Sequence, residues 1–190
     1  MRIRTIKSKV LIIVITLSLA SNIFYITNYY NEKKERQQFI DHHVMSYMNR
    51  YVNNVDFVSS YIDMLLKENE KKDAAPVYLN NNLRLLYREV NSLSEIHSML
   101  YTLLWEKFDR DFNPHLLYFS ELYFDMGDLY QRERLTEEDI KFFEDVIQHA
   151  EMMTKEINFE VIHHDVDHLD EKLDIVLKKF EEIESEENNE

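Results

Sequence analysis

Val10-Leu-Ile-Ile-Val-Ile-Thr-Leu-Ser-Leu-Ala20-Ser-Asn-Ile-Phe-Tyr-Ile-Thr-Asn-Tyr-Tyr30-Asn31 contains no charged residue. A helix needs about 20 apolar residues to cross a hydrocarbon core, so this stretch has the length for one crossing. Arg2, Arg4, Lys7 and Lys9 precede it, and basic flanks stay cytoplasmic. Lys33, Lys34 and Arg36 follow, diluted by Glu32 and Glu35. Phe24, Tyr25, Tyr29 and Tyr30 stand where an interfacial aromatic belt belongs. The reading is a signal anchor over 10–31 in the cell membrane, with 1–9 as its cytoplasmic basic region. The extracytoplasmic domain then covers 32–184, and 185–190 is an acidic disordered tail.

The alternative is a secreted protein. Ser18-Leu-Ala20 has the small-x-small form of a cleavage site, so the segment could be removed after Ala20. Apolar character runs on through Ile23-Phe-Tyr-Ile26, which favours the uncleaved anchor. The chain holds no cysteine, so a lipid-modified cysteine anchor, disulfides and thiolate zinc sites are all excluded.

Composition then sets the fold class. The chain has a single glycine, Gly127, and two prolines, Pro76 and Pro114. Sheets and hairpins use Gly-containing turns freely, so the composition predicts an all-α chain. One glycine also excludes the phosphate-cradling loop, the dinucleotide fingerprint and the nucleophile elbow. Charge is uneven: residues 137–190 carry five Lys and nineteen acids. Nucleic-acid binding needs a basic face, and none is visible.

Periodicity predicts about four long helices. Val44, Met48, Tyr51, Val55, Val58, Ile62 and Leu65 step alternately by four and three over a helix from 32 to 72, a heptad seam that packs against another helix. It is expected to continue directly from the membrane segment. Pro76 opens a second helix over about 77–110, with Leu79, Leu83, Leu86, Val90, Leu93, His97, Leu100 and Leu104 on its seam. Asn113 as N-cap and Pro114 at the first turn start a third, over about 114–132, with Gly127 inside it. Leu135-Thr-Glu-Glu-Asp-Ile140 is a capping signal: Thr136 to the amide of Asp139, with Leu135 and Ile140 at staple positions.

From there the pattern runs to about 184. Ile140, Phe143, Ile147 and Ala150 form one seam; Ile162, Val166, Leu169, Leu173, Val176, Phe180 and Ile183 form another. The registers do not join across 151–161, which predicts a bend or break there. Length agrees: at 1.5 Å per residue the first helix spans about 60 Å and an unbroken fourth about 75 Å. The latter would carry its acidic end into the bilayer. The expected fold is therefore a transmembrane helix followed by an antiparallel helical bundle whose last helix is bent or broken.

One constellation could carry chemistry. On a continuous helix Glu160, His164 and His168 share a face, and His163 pairs with Asp167. Imidazole and carboxylate suit a divalent transition metal, and Asp41-His42-His43 could add ligands. A di-iron bundle site needs a second Glu-x-x-His motif, which the chain lacks. His97 on a leucine seam reads as a core histidine. Apart from that metal alternative no cofactor is expected, and no nucleophile or acid–base pair marks an enzyme.

The leading functional expectation is a protein-interaction or scaffold module, its partners the membrane and either another membrane or envelope protein or a second copy. The second is a sensor-like ligand- or metal-binding domain using 160–170. By architecture the chain is similar to bacterial helical-bundle sensor ectodomains, which implies signalling through another protein, since it shows no second span or cytoplasmic output.

Overall fold

The computed structural model describes residues 2–70, 76–126, 129, 134–164 and 166–187. Among the described residues six α-helices follow one another: α1 Arg2–Asn69, α2 Pro76–Phe108, α3 Asn113–Asp125, α4 Glu137–Glu156, α5 Phe159–His164 and α6 Leu169–Glu187, with a 3-10 turn Val166–His168 before α6. No strand occurs among the described residues. The chain divides into two compact units, Met1–Ile40 and Asp41–Glu190.

In the first unit every residue from Leu11 to Phe39 is exposed. Its large apolar side chains between Leu11 and Tyr30 keep from 50% (Ile15) to 67% (Tyr25) of their surface open. Within α1 lies one segment long and apolar enough to cross a membrane, and its apolar window is not buried within the protein.

The second unit is a helical bundle whose core follows the heptad positions. All seven predicted seam residues of α1, from Val44 to Leu65, are buried. In α2 the stripe takes Leu83, Leu86, Val90, Leu93, Ile96, Leu100 and Leu104. Ile96 fills the place expected for His97, which is only half-buried; Leu93-Ile96-Leu100 keeps the spacing while giving the core an apolar side chain. For the same reason α4 buries Val146 between Phe143 and Ala150, and Ile147 is partly exposed. Six of the seven residues expected on the last seam are buried; Val166 is partly exposed.

Cross-helix bonds give the directions. Asp41 of α1 meets Lys107 of α2, and Asn54 meets Ser92 at 2.9 Å, so α1 and α2 are antiparallel. His115 of α3 pairs with Asp174 of α6 while Phe119 packs on Phe180; these two run parallel. The amide of Leu135, just before α4, donates to Asn69 Oδ1 at the far end of α1 (3.3 Å). Asp167, just before α6, reaches Lys107 at the Asp41 end. So α4 and α6 run in opposite senses, and the last segment turns back on itself.

That reversal is the expected break. α4 ends at Glu156 and α5 begins at Phe159. The Asn158 side chain accepts from the amides of Glu160 (3.0 Å) and Val161 (3.1 Å), an N-cap that starts a new helix instead of prolonging the old one. The Thr136–Asp139 capping box also forms: the Asp139 amide donates to Thr136 Oγ1 and the Thr136 amide donates to Asp139 Oδ2 (2.7 Å).

Several boundaries move. α2 stops at Phe108, not 110, because Asp109 adopts φ 55°, a left-handed turn that Asp tolerates. Asn113 is inside α3 and does not cap it: Phe112 holds the cap position, and the Asn113 amide donates to Asp111 Oδ1 at 2.9 Å. Pro114 lacks an amide, so the nearest acceptor upstream serves the first free one. α3 ends at Asp125, short of 132; Gly127 lies outside the described residues. α6 runs to Glu187, into the segment expected as tail.

Candidate functional site

The bundle end that holds Asp41 gathers most of the charged side chains that bond across helices. The side chain of Lys107, in the last turn of α2, is almost fully covered, and its Nζ donates to Asp41 Oδ1 and Asp167 Oδ1, both at 2.7 Å. Burial disfavours the ammonium charge, but the hydrogen bonds to Asp167 and Asp41 outweigh it and hold its pKa above the usual range. Asp167 lies largely in water, and its carboxyl is held below its usual pKa chiefly by the bond from Lys107.

Beside it, the Arg110 guanidinium grips both oxygens of Asp174 (2.5 and 3.0 Å), the fork geometry that makes such pairs directional. His115 Nε2 stands 2.8 Å from Asp174 Oδ1, on a buried ring packed against Phe112. The bond from Arg110, aided by His115, holds the Asp174 carboxyl low. The chain therefore ties α1, α2, α3 and the start of α6 together through two adjoining charge clusters.

Deeper in the bundle, His149 lies 4.2 Å above the Tyr118 ring and edge-on to Phe180. Its Nδ1 donates to the Asp145 carbonyl (2.7 Å). Nε2 of His149, Nε2 of His97 and Nδ1 of His115 are buried without a hydrogen-bond partner. Burial lowers the pKa of His97.

The predicted ligands fall out as follows. Glu160, His163, His164, Asp167 and His168 are all exposed. Glu160, His163 and His164 belong to α5, which ends at His164; Asp167 and His168 belong to the 3-10 turn. The single face expected for Glu160, His164 and His168 assumed one α-helix, and the geometry changes between the second and third. His163 packs on Phe159 at 4.0 Å, and His168 lies 3.9 Å from Glu171. Among the described residues no group of three or more His, Asp or Glu could hold a metal.

The two stretches that offer ligands in the sequence, 41–43 and 160–168, converge at Asp41 and Asp167, which both bond Lys107. The positive charge between them is the lysine's own ammonium. Lys107, Arg110, His115 and Asp174 went unmarked in the sequence because each looks like an ordinary surface charge on its own helix. The only signal was a pair of cations, Lys107 and Arg110, where α2 stops.

A groove of about 440 Å³ runs between α4 and α6, lined by Glu151, Met152, Lys155, Lys179 and Glu182 among others. Lys179 donates to Glu156 beside it and holds that carboxyl low. No family model matches the chain, and no curated protein or solved structure matches it.

Proposed function

We propose that this is a single-pass protein of the cell membrane, its N-terminus cytoplasmic, whose helical bundle lies outside and works by binding protein partners. One observation carries the reading: the apolar run after Leu11 is exposed on all sides. In water so large an apolar surface is unfavourable by about 25 cal/mol per Å²; in lipid it costs nothing. Arg2, Arg4, Lys7 and Lys9 set the orientation. Phe57 and Met64, seven residues apart on α1, and Phe124 on α3 are exposed apolar side chains of the bundle, the kind a partner covers.

Protease added to intact cells producing the full chain tests the topology. The expected result is digestion of the bundle with a cytoplasmic N-terminal tag left whole. A bundle that survives, or a tag that is lost, overturns the reading.

A metal-sensing role for 160–168 stands second. In its favour, Asp41-His42-His43 and the turn at Asp167-His168 come to one end of the bundle; against it, Lys107 occupies the carboxylates. A metal bound only by the folded chain would raise its melting temperature, so a chelator that leaves melting unchanged removes this reading.

A further inference from the structure

We infer that the membrane segment is an interface between two copies of this chain, and that Asn22 fixes their register. The inference rests on the membrane reading above. Ile15, Ser18, Asn22, Tyr25 and Tyr29 recur at intervals of three and four, so they share one face of α1. That spacing is a heptad seam, and every one of these side chains is exposed.

Asn22 is the residue that calls for a partner. It lies nine residues before Asn31, about 13 Å along the helix from the outer end of the uncharged run and so inside a hydrocarbon core about 30 Å thick. The same segment shows how a lone polar group can be satisfied: the Thr16 hydroxyl donates to the Ile12 carbonyl one turn back, at 2.9 Å. A carboxamide has two donors as well as an acceptor and cannot be served by one backbone carbonyl. The Asn22 side chain is exposed and has no such bond among the described residues. Asn28 and Asn31 stand close enough to the end to meet headgroups and water.

The occupant follows from chemistry and direction. Copies of one chain insert with their basic flanks on the same side, so they lie parallel with equal residues at equal depth. Asn22 then faces Asn22, and a carboxamide is its own complement, one oxygen accepting from the other's amide. Apolar neighbours of another sequence would leave both polar atoms bare, and an Asn at a seam position specifies a parallel register. Ser18, one turn earlier, is small enough to let the backbones approach.

The absence of native cysteine makes the test direct. The full chain is reconstituted in phosphatidylcholine–phosphatidylglycerol vesicles, floated on a density gradient, and oxidised as single-cysteine variants. Ser18→Cys and Tyr25→Cys lie on the proposed face; Ala20→Cys and Thr27→Cys lie opposite. The expected result is more disulfide dimer at the first two. Adding Asn22→Leu, which leaves the segment apolar and able to insert, lowers their dimer yield by about three- to thirtyfold. Equal yields on both faces, or no response to Asn22→Leu, overturn the interface while leaving the membrane reading intact. Failure to float overturns both.

Discussion

Lys107 shows how a single side chain is worth more than its sequence context suggests. Its side chain is buried between Asp41 and Asp167, and its removal takes from part-buried Asp41 the ammonium that bonds it. Lys107→Ala is expected to lower stability by about 1–3 kcal/mol, read by denaturant unfolding of the full chain in detergent. Asp167→Asn alone should do much less, since Asp167 is largely in water and exposed ion pairs contribute little. Equal effects would remove Lys107 from the centre of the network.

The same scale sets the pH response. His97 is held below its usual pKa by burial, so the unfolded chain takes up the proton first. Stability is full above about pH 6.5 and falls as pH drops from there. Asp174, held low mainly by Arg110, adds a second loss as pH falls below about 4. At the other extreme, Tyr51 is fully buried with its hydroxyl donating to the Leu116 carbonyl at 2.6 Å, and burial pushes its pKa far up. The unfolded phenol ionises above about pH 10, so stability drops there. Tyr51→Phe should cost about 1 kcal/mol at neutral pH and flatten the alkaline limb of a melting-temperature profile; an unchanged limb would assign it to other groups.

At the scale of the element, caps decide where helices start. Thr136 could be recognised in sequence because its box is local: the two partners lie three residues apart and need no tertiary help. Asn158 has no such box, since Val161 stands three residues on, although the clash of registers across 151–161 marks its neighbourhood. Asn158→Ala is expected to cost about 1 kcal/mol and to speed hydrogen exchange at the Glu160 and Val161 amides, which it caps. Exchange unchanged at both would mean that packing of Ile157 and Ile162, not the cap, holds the turn. The start of α3 has a similar lesson: Asn113 is a good cap by type, yet Phe112 takes the cap position and Asp111 only accepts from the Asn113 amide, because the chain leaves Asp109 through a left-handed turn.

For the whole molecule, the sequence by itself determined the helical class, the uncharged run over 10–31, the seam of α1 and the reversal zone. Each follows from periodicity or composition, which are local properties and survive without knowledge of neighbours. The tertiary structure alone decided that Ile96 and Val146, not His97 and Ile147, face the core, because a heptad seam shifted by one residue looks equally periodic. It alone turned α6 parallel to α3, since direction depends on which surfaces meet after the break. And it alone brought Asp41, Lys107 and Asp167 together. They are more than 60 residues apart in pairs or nearly so, and an isolated charge on a helix carries no record of the opposite charge that folding will place beside it.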